Sequence, residues 1–261
     1  MKTSSLSTSG LNGSIIKAFK LLEFFSPLKP SWGVRELARH IGANESTTYR
    51  MMSTLERLGI LYKNPISEKY ALGLKLYELG NRVDINDSFV HLTHPELEKV
   101  ATEIEETVHL GILKDSSVLM VDKVESLKGL RLDSTVGQMS PLHCTGLGKV
   151  LLAFSNMPLR KKLMSDYDFD VYTENTKKTI PSMTTELNKI KKNGFAIDRQ
   201  EFELGLICVA VPVFNQENKL VAALSAAGPS DRFKENSLNE YVEILKRGAN
   251  NIKSKIGNYK I

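Results

Sequence analysis

Residues 44–61, NESTTYRMMSTLERLGIL, combine an apolar stripe with a face of hydrogen-bonding side chains. Met52, Leu55 and Leu58 recur at helical spacing, so we expect a helix of about five turns that directs these three residues toward a core. Solvated helix faces are usually rich in Glu and Lys one turn apart, whereas the opposite face here offers hydroxyls, a phenol and guanidinium groups. Its members are Ser46, Thr47, Tyr49, Arg50, Ser53 and Arg57.

Side chains of these types can contact a nucleic acid. Arg forms paired hydrogen bonds with guanine in the major groove and is the commonest specific contact there. Ser and Thr near a helix N-terminus, together with free backbone N–H groups, suit phosphate oxygens. The alternative is that this polar face is merely solvated, so the neighbouring elements must decide between the two interpretations.

The elements before this helix favour DNA binding. Residues 14–26, SIIKAFKLLEFFS, predict a helix with Ser14 as its N-cap. Residues 33–42, GVRELARHIG, have apolar side chains at i, i+3, i+4 and i+7, which predicts a short amphipathic helix. Gly42 suits the left-handed position after its last turn, and Asn44 suits the N-cap of the next helix. Two helices joined by so tight a turn form a helix-turn-helix, whose second helix enters the major groove.

A hairpin completes the predicted DNA-binding domain. Residues 59–73, GILYKNPISEKYALG, alternate around a turn-forming centre, which predicts two antiparallel strands. Lys63 and Lys69 lie near the tip, where they can contact phosphates. A helix, a helix-turn-helix and a basic hairpin make a winged helix, which we assign to residues 14–75. The Ser-, Thr- and Gly-rich residues 1–13 are expected to form a disordered tail.

The distribution of charge agrees with this assignment. Residues 1–85 contain 12 Lys and Arg against 7 Asp and Glu, which accounts for the whole net charge of +5. The rest of the chain is balanced, with 23 basic and 23 acidic residues. We therefore expect a polyanionic partner for the first third of the chain and a different task for the remainder.

Composition excludes several classes of protein. The 261 residues are 41% hydrophobic and 25% charged, as in globular proteins, and suffice for two domains. We find no apolar run of membrane-spanning length and no apolar signal segment, so we expect a cytoplasmic protein without a membrane partner. The two cysteines, Cys144 and Cys208, cannot form a disulfide framework or a zinc finger alone. With His143 they make three potential ligands at irregular spacing, and we predict no metal and no cofactor.

The remaining residues predict a domain of the α+β class. Residues 76–90 are assigned to a linker helix, and residues 91–257 to the second domain. Helical patterns occupy residues 86–107, 144–154, 184–194 and 235–256. Strand patterns occupy residues 107–126, interrupted by the turn KDSS, and residues 129–138, 195–201, 206–214 and 219–228.

Three segments resemble the IclR family of bacterial transcription regulators. Residues 34–61 match its winged helix, with the Ser-Thr pair, the aromatic residue, the Arg and the Leu-Gly ending, although Met51 and Met52 stand where Leu is usual. Residues 194–215, GFAIDRQEFELGLICVAVPVFN, and residues 141–153, PLHCTGLGKVLLA, resemble its two other characteristic motifs. The resemblance extends from residue 14 to residue 257. It implies a GAF-like effector-binding domain, a homodimer or tetramer, and repression of a catabolic operon that a small organic acid relieves.

The resemblance also implies an effector site. By motif position, its contacts fall on Leu132, Ser140, Gly146, Leu147, Asp198, Leu206, Cys208, Ser225 and Ala227. The residue chemistry supports an acid there, because glycines at the start of a helix leave backbone N–H groups and the helix dipole free to meet a carboxylate. Gly146 and Gly148 have an alternative purpose, which is to let the helix pack closely on a sheet.

The sequence therefore predicts a transcription regulator that binds double-stranded operator DNA and senses a small carboxylate, a keto or sugar acid. One alternative is an enzyme that acts on such an acid and carries an appended DNA-binding module. Cys144 or Cys208 would be its nucleophile and His143 its base, but neighbouring strand residues point to opposite faces, and we predict no catalytic residues. Another alternative is a constitutive DNA-binding scaffold without an effector.

Overall fold

The computed structural model describes residues 11–26, 28–83, 89–128, 132, 134–165 and 167–259. Its contacts divide the chain into unit 1, residues 1–84, and unit 2, residues 85–261. The elements of unit 1, in order, are α1 (Gly13–Leu22), β1 (Ser31–Trp32), α2 (Val34–Ile41), α3 (Glu45–Arg57), β2 (Leu61–Lys63), β3 (Tyr70–Leu72) and α4 (Leu74–Gly80).

Unit 1 is a winged helix, as predicted. Gly42 adopts the left-handed conformation, with φ of 65°, and so ends α2 and turns the chain into α3. The hairpin strands β2 and β3 pair antiparallel, and β1, which the sequence did not predict, pairs with the other side of β3. Apolar side chains from all of these elements meet in one small core, which includes Leu37, Met52, Leu55 and Tyr70.

The predicted N-cap of the first helix, Ser14, and the predicted end of the disordered tail, residue 13, are both wrong. Asn12, not Ser14, is the N-cap, since its Oδ1 accepts hydrogen bonds from the backbone N–H groups of Ser14 and Ile15. Asn12 and Gly13 thus belong to the helix and not to the predicted tail, whose residues 1–10 lie outside the described residues. Ile15 and Phe19 are exposed, and the buried residue of this helix is Leu21.

Helix α3 is shorter than predicted. It ends at Arg57, and the Ile60 N–H returns to the Leu55 carbonyl across the left-handed Gly59. Because the chain leaves the helix here, the Leu58 side chain points away from the core, and 62% of its surface is exposed. The prediction that Leu58 faces the core is therefore wrong, whereas Met52 and Leu55 are buried as expected.

The linker helix predicted at residues 76–90 is also different. Helix α4 covers seven residues and ends at Gly80. The amide of Asn81 caps it by donating to the Tyr77 carbonyl, and residues 81–83 form a turn. Gly and Asn are poor helix formers, which explains the early end. Residues 84–88 lie outside the described residues.

Unit 2 contains the second predicted domain. Its elements are α5 (His91–Ile104), β4 (Thr107–Lys114), β5 (Ser117–Val124), β6 (Met139–Pro141), α6 (Gly146–Phe154), α7 (Met157–Ser165), α8 (Ile180–Asn193), β7 (Ala196–Arg199), β8 (Leu206–Phe214), β9 (Leu220–Pro229) and α9 (Glu235–Ile256). The sheet order is β6-β5-β4-β9-β8-β7, and every neighbouring pair is antiparallel.

Helices cover both faces of this sheet. Apolar residues of α5 and α9 pack with one set of strand side chains, and apolar residues of α6 and α8 pack with the other set. Strands β8 and β9 are consequently buried along most of their length instead of alternating between core and solvent. This is the α+β, GAF-like domain that the sequence predicted.

Two elements of unit 2 escaped prediction. The strand predicted at residues 129–138 is not formed by its described members, Leu132 and residues 134–138; the edge strand is β6, which pairs with β5 a few residues later. Residues 129–131 and 133 lie outside the described residues. Helix α7 was not predicted, because Met164 is its only buried residue and leaves no apolar periodicity to detect.

A buried ion pair joins α6 to the edge of the sheet. Lys149 has no exposed surface, and its Nζ forms an ion pair with Glu201 and donates to the Ile197 carbonyl at 2.6 Å. Glu186 on α8 lies 3.6 Å from the same Nζ, and Lys177 lies 3.3 Å from the other Glu201 oxygen. Four charged residues thus neutralise one another where three elements meet.

Removing one member of this pair should destabilise unit 2. We expect Lys149→Met to lower the free energy of unfolding by about 3–5 kcal/mol, since it leaves the Glu201 carboxylate buried with a single partner. Calorimetry is the suitable measurement, because the only tryptophan, Trp32, lies in unit 1. Lys162→Met, on the exposed side of α7, is the control. Adding Glu201→Gln to Lys149→Met should recover part of the loss; an unchanged transition in the single variant would contradict the assignment.

Candidate functional site

Helix α3 presents the predicted polar face to solvent. The Asn44 side chain caps the helix by accepting from the Ser46 N–H at 2.9 Å and from the Ser46 hydroxyl at 2.8 Å. Thr47, Tyr49 and Arg50 are exposed, while their neighbours Thr48, Met52 and Leu55 form the buried side of the same helix. A helix held to the core by one face thus displays hydroxyl, phenol and guanidinium groups on the other.

The arginines on and near this face differ in whether they form an ion pair. No ion pair of Arg50 or Arg57 is found within the described residues, and both side chains are exposed. Arg35, on the preceding helix, is instead neutralised by Glu45 at 2.8 Å. Ser53 is only partly exposed, so it lies at the margin of the face. The guanidinium groups of α3 are therefore available to an external anion.

The hairpin has a structured tip. Asn64 Oδ1 accepts from the backbone N–H groups of Ile66 and Ser67, both at 2.9 Å, which fixes the turn. Lys69 is exposed, whereas Lys63 is half-buried and lies 3.4 Å from Glu68. The two predicted phosphate contacts are therefore not equivalent, and Lys63 must leave a carboxylate to reach a phosphate.

A second cluster lies on the face of the large sheet that α6 covers. The strand register places Asp198 opposite Cys208 and Cys208 opposite Ala227, so the three predicted effector residues form one row across β7, β8 and β9. Ser225 lies two residues before Ala227 and shares its face. Leu206 lies two residues before Cys208 on the same side of β8.

The first turn of α6 presses against this row. A Cβ atom added to Gly146 would lie 2.9 Å from the Cys208 sulfur, and one added to Gly148 would lie 2.5 Å from Leu142 backbone atoms. Both glycines are thus required for close packing, which was one of the two interpretations of the motif. Thr145 caps the helix by accepting from the Gly148 N–H, and Leu147 is buried beside Gly146.

Ser225 is the unusual member of the cluster. Its side chain is fully buried, and its Oγ makes no hydrogen bond within the described part of the chain. The Cys208 thiol is close enough to interact with it, but a thiol is a weak hydrogen-bond partner. A buried hydroxyl without a partner costs free energy and indicates a position that a ligand or a water can fill.

Asp198 is buried and only partly compensated. Its Oδ1 accepts from the Glu201 N–H at 2.7 Å. Burial raises the pKa of this carboxyl to about 7, and the Glu201 hydrogen bond only partly opposes that shift. Asp198 can therefore change its protonation state near neutral pH.

Two of the nine predicted effector residues lie away from this row. Ser140 is on β6, at the opposite edge of the sheet from β7, and three strands separate it from Cys208. Leu132 lies between β5 and β6, and its carbonyl accepts from Lys123 Nζ at 3.2 Å. The structure therefore brings together seven of the predicted residues and connects Leu132 to them through Lys123 and Ser134.

Sequence reasoning missed His109 and Lys123. The register places His109 opposite both Ser225 and Lys123, so the imidazole continues the polar face. His109 Nε2 lies 2.9 Å from the Ser134 hydroxyl, and burial, followed by the Lys123 charge, lowers its pKa to about 3. Lys123 is nearly buried and also donates to the Ser134 carbonyl. A lone polar residue within an apolar strand pattern was the signal that could have identified them.

The cysteine chemistry of the hydrolase alternative is absent from the described residues. Burial raises the pKa of Cys208 to about 12 and raises that of Cys144 as well, so both remain thiols. His143 is occupied: its Nε2 donates to the Asp170 carbonyl, and its Nδ1 accepts from the Tyr167 hydroxyl. Burial also lowers the pKa of His143.

Within the described residues there is neither a cluster of metal-binding side chains nor a helix that could span a membrane. No group of three or more His, Cys, Asp or Glu side chains is arranged to hold a metal ion. No helix there combines the length and the apolar character that crossing a bilayer requires.

Comparison with solved structures supports the fold. The IclR structure from Thermotoga maritima superposes with a TM-score of 0.74 at 31% identity and covers 94% of this chain and 98% of its own. An IclR homolog from Microbacterium hydrocarbonoxydans, complexed with 4-hydroxybenzoate, superposes with a TM-score of 0.82 at 23% identity over 93% of this chain and 98% of that one.

Sequence comparison identifies the family. The model described as the IclR helix-turn-helix domain matches residues 14–65, and the model described as bacterial transcriptional regulator IclR C-terminal matches residues 83–254. The HTH-type transcriptional regulators KdgR of Dickeya chrysanthemi and of Escherichia coli K12 are 34% and 33% identical over 94% of this chain, which covers 80% and 92% of their lengths. The chain therefore belongs to the IclR family of bacterial transcriptional regulators, and it is a regulatory protein with a DNA-binding domain rather than an enzyme.

Proposed function

We propose that this regulator represses its target genes by binding a two-fold symmetric operator, and that a small organic acid bound in unit 2 controls the binding. One observation supports the effector more than any other: the buried, unpartnered hydroxyl of Ser225 lies in a polar row beside the first turn of α6. Such a hydroxyl gains a hydrogen bond when a polar ligand enters.

On the DNA side, the proposal assigns base contacts to α3. Arg50 and Tyr49 project from its exposed middle, and Ser46 and Thr47 lie at its N-terminus, where hydroxyl and backbone N–H groups suit phosphates. Arg57 and Ser53 extend the same face, and Lys69, with Lys63 once it leaves Glu68, would contact flanking phosphates.

A single helix contacts few base pairs, so we propose that the protein acts as a homodimer or tetramer. Unit 1 has two exposed apolar stripes that a second copy could cover. Leu11, just before α1, and Ile15 and Phe19 on α1 are exposed and recur every four residues, and on α4, Leu74 and Tyr77 are exposed. Apolar residues in such register on a polar domain are typical of helix-to-helix interfaces.

A small acid suits the cluster in unit 2 because positive groups surround it. The N-terminus of α6, with Gly146 and Leu147, supplies the positive end of a helix dipole. Lys123 is a nearly buried cation in the same face, although Glu125 lies 3.1 Å from its Nζ, and neutral His109 adds an imidazole whose Nε2 bonds to Ser134. Asp198, Leu206, Cys208, Ser225 and Ala227 would line the other side, with Ser140 and Leu132 further away.

The similar proteins support repression as the direction of regulation and a small carboxylate as the class of ligand. The similar proteins include the transcriptional repressor IclR of Escherichia coli K12, at 26% identity, and the acetate operon repressor of Salmonella typhimurium, also at 26%. The Microbacterium homolog binds 4-hydroxybenzoate, which is a small carboxylate. For this chain we favour a keto or sugar acid, because hydroxyl and carbonyl groups would satisfy Ser225 and His109.

The recognition face can be tested by replacing one guanidinium group. Arg50→Ala should weaken binding to DNA selected from a random pool by the wild-type protein by about tenfold or more, since a base-contacting Arg contributes about 1–3 kcal/mol of discrimination. Mobility-shift titration measures the change. Arg247→Ala, an exposed arginine in unit 2, is the control and should bind normally. Equal affinity of Arg50→Ala and the wild type would reject α3 as the recognition element.

The effector can be sought by thermal shift. A ligand that binds only the folded state at 100 times its Kd adds about 2.7 kcal/mol of stability, so an active acid should raise the melting temperature of the wild type. Ser225→Ala should lose this shift, while Ser254→Ala, on the exposed side of α9, should keep it. A broad set of keto, sugar and aromatic acids that left the wild-type melting temperature unchanged would favour the constitutive scaffold.

Effector binding should depend on pH through Asp198. Because burial raises the pKa of this carboxyl to about 7, it is mostly protonated below that pH and can donate to an anionic ligand. Above pH 7 it ionises and repels the ligand, so the Kd should rise between pH 6 and pH 8. Isothermal titration of an acid found by thermal shift measures this, and Asp198→Asn should flatten the profile. A profile as steep in that variant as in the wild type would exclude Asp198 as the titrating group.

A further inference from the structure

A groove of about 500 Å³ lies on the outer side of β7. Its walls are α8 and α9, and β7 forms the floor between them. Strand β7 is at the edge of the six-stranded sheet, so within the described residues only β8 pairs with it. The groove is therefore a concave surface at the one edge of the sheet that two helices flank.

The groove is separate from the polar row described above. Successive strand residues point to opposite faces, so Asp198 points toward α6 while Ile197 and Arg199 point toward the groove. None of the nine predicted effector residues lines it. Strand β7 thus separates the two sites: one of its faces belongs to the polar row and the other forms the floor of the groove.

The floor of the groove is apolar. Phe195 and Ile197 are partly exposed there, and Leu238 and Val242 of α9 lie beside them. The Ile197 carbonyl, which an added strand would need, is already taken by Lys149 Nζ. This engagement disfavours pairing with another strand and leaves an apolar surface for a smaller ligand.

The rim carries excess positive charge. Its two carboxylates, Glu186 and Glu201, are matched by Lys149 behind the floor and by Lys177. Lys189 also lines the groove, is exposed, and has no ion pair among the described residues. The uncompensated charge is therefore positive.

We propose that this groove is a second small-molecule site, and that it takes an amphipathic organic anion. The apolar body of the ligand lies on Phe195 and Ile197, and its anionic group lies near Lys189 and Lys177. The site is separate from the effector site proposed above, because the two occupy opposite faces of β7.

Glu201 connects the two faces. Its carboxylate holds Lys177 at the groove, and its N–H holds Asp198 on the other side of the strand. The hydroxyl of Thr176 donates to its carbonyl at 2.7 Å and fixes the backbone between them. An anion that draws on Lys177 consequently acts on the residue that positions Asp198.

The test uses 8-anilinonaphthalene-1-sulfonate, an amphipathic anion whose fluorescence rises in apolar sites, with the full-length protein. Lys189→Glu should weaken its binding about fivefold, because an attraction becomes a repulsion at an exposed position. Lys192→Glu has the same charge change on an exposed residue of α8 that does not line the groove, and it should bind the probe as the wild type does. Equal affinities of the two variants would overturn the proposal.

Hydrogen exchange provides a second measurement. In the wild type, the probe should slow amide exchange in residues 196–205, which contain β7 and the Glu201 N–H, and this protection should be lost in Lys189→Glu. Protection confined to α1 and α4 would place the probe on the apolar stripes of unit 1 and overturn the assignment to the groove. Because the experiment uses neither DNA nor the effector, its failure is distinguishable from failure of the proposed function.

Discussion

The Lys149–Glu201 ion pair is the interaction on which the arrangement of unit 2 depends. A fully buried lysine is tolerated only where every donor has an acceptor, and here the edge strand, the loop after it and α8 supply them. The same contact draws the first turns of α6 onto the sheet, where Gly146 approaches the Cys208 sulfur without room for a side chain. It also places the Glu201 N–H beneath Asp198. A buried ion pair thus determines the geometry of the polar row, although Lys149 itself is not part of that row.

In unit 1, the two faces of α3 have different tasks: one packs against the core, and the other is exposed. The buried face of α3 is small, so Met52 and Leu55 anchor it to a core that the rest of the winged helix supplies. Its exposed face can then be chosen for chemistry rather than stability, which is why hydroxyls and arginines replace the usual Glu and Lys pairs. Arg35 differs from the arginines of α3, because it forms an ion pair with Glu45 within the same domain.

Much of this fold could be predicted from sequence, and the failures have identifiable causes. The bounds of α9 and the hairpin follow from strong periodicity and turn residues, and Gly42 and Asn44 mark the helix-turn-helix because caps are local. Helix ends decided by competing caps, such as Asn12 against Ser14, were wrong because both residues are good caps and only tertiary contacts choose between them. The polar row was half visible: motif resemblance gave Asp198, Cys208 and Ser225, but His109 and Lys123 join it through register between distant strands. Register is a property of the sheet and is not encoded in the spacing of one segment.

Lys123 sets the condition for how a bound acid could be sensed. Transferring a carboxylate from water into this face is costly unless a charge meets it. A cation of this face is Lys123. Its Nζ lies 3.1 Å from a Glu125 carboxylate oxygen and donates to the carbonyls of Leu132 and Ser134, which lie in the segment between β5 and β6. Under the proposed function, an acid that pairs with Lys123 competes with Glu125 and with those carbonyls for it, so binding and rearrangement of this segment are one event. An acid that bound the DNA-binding state and the released state of the protein equally could not shift the equilibrium between them. Under the proposed function, this rearrangement is a source of the difference in affinity.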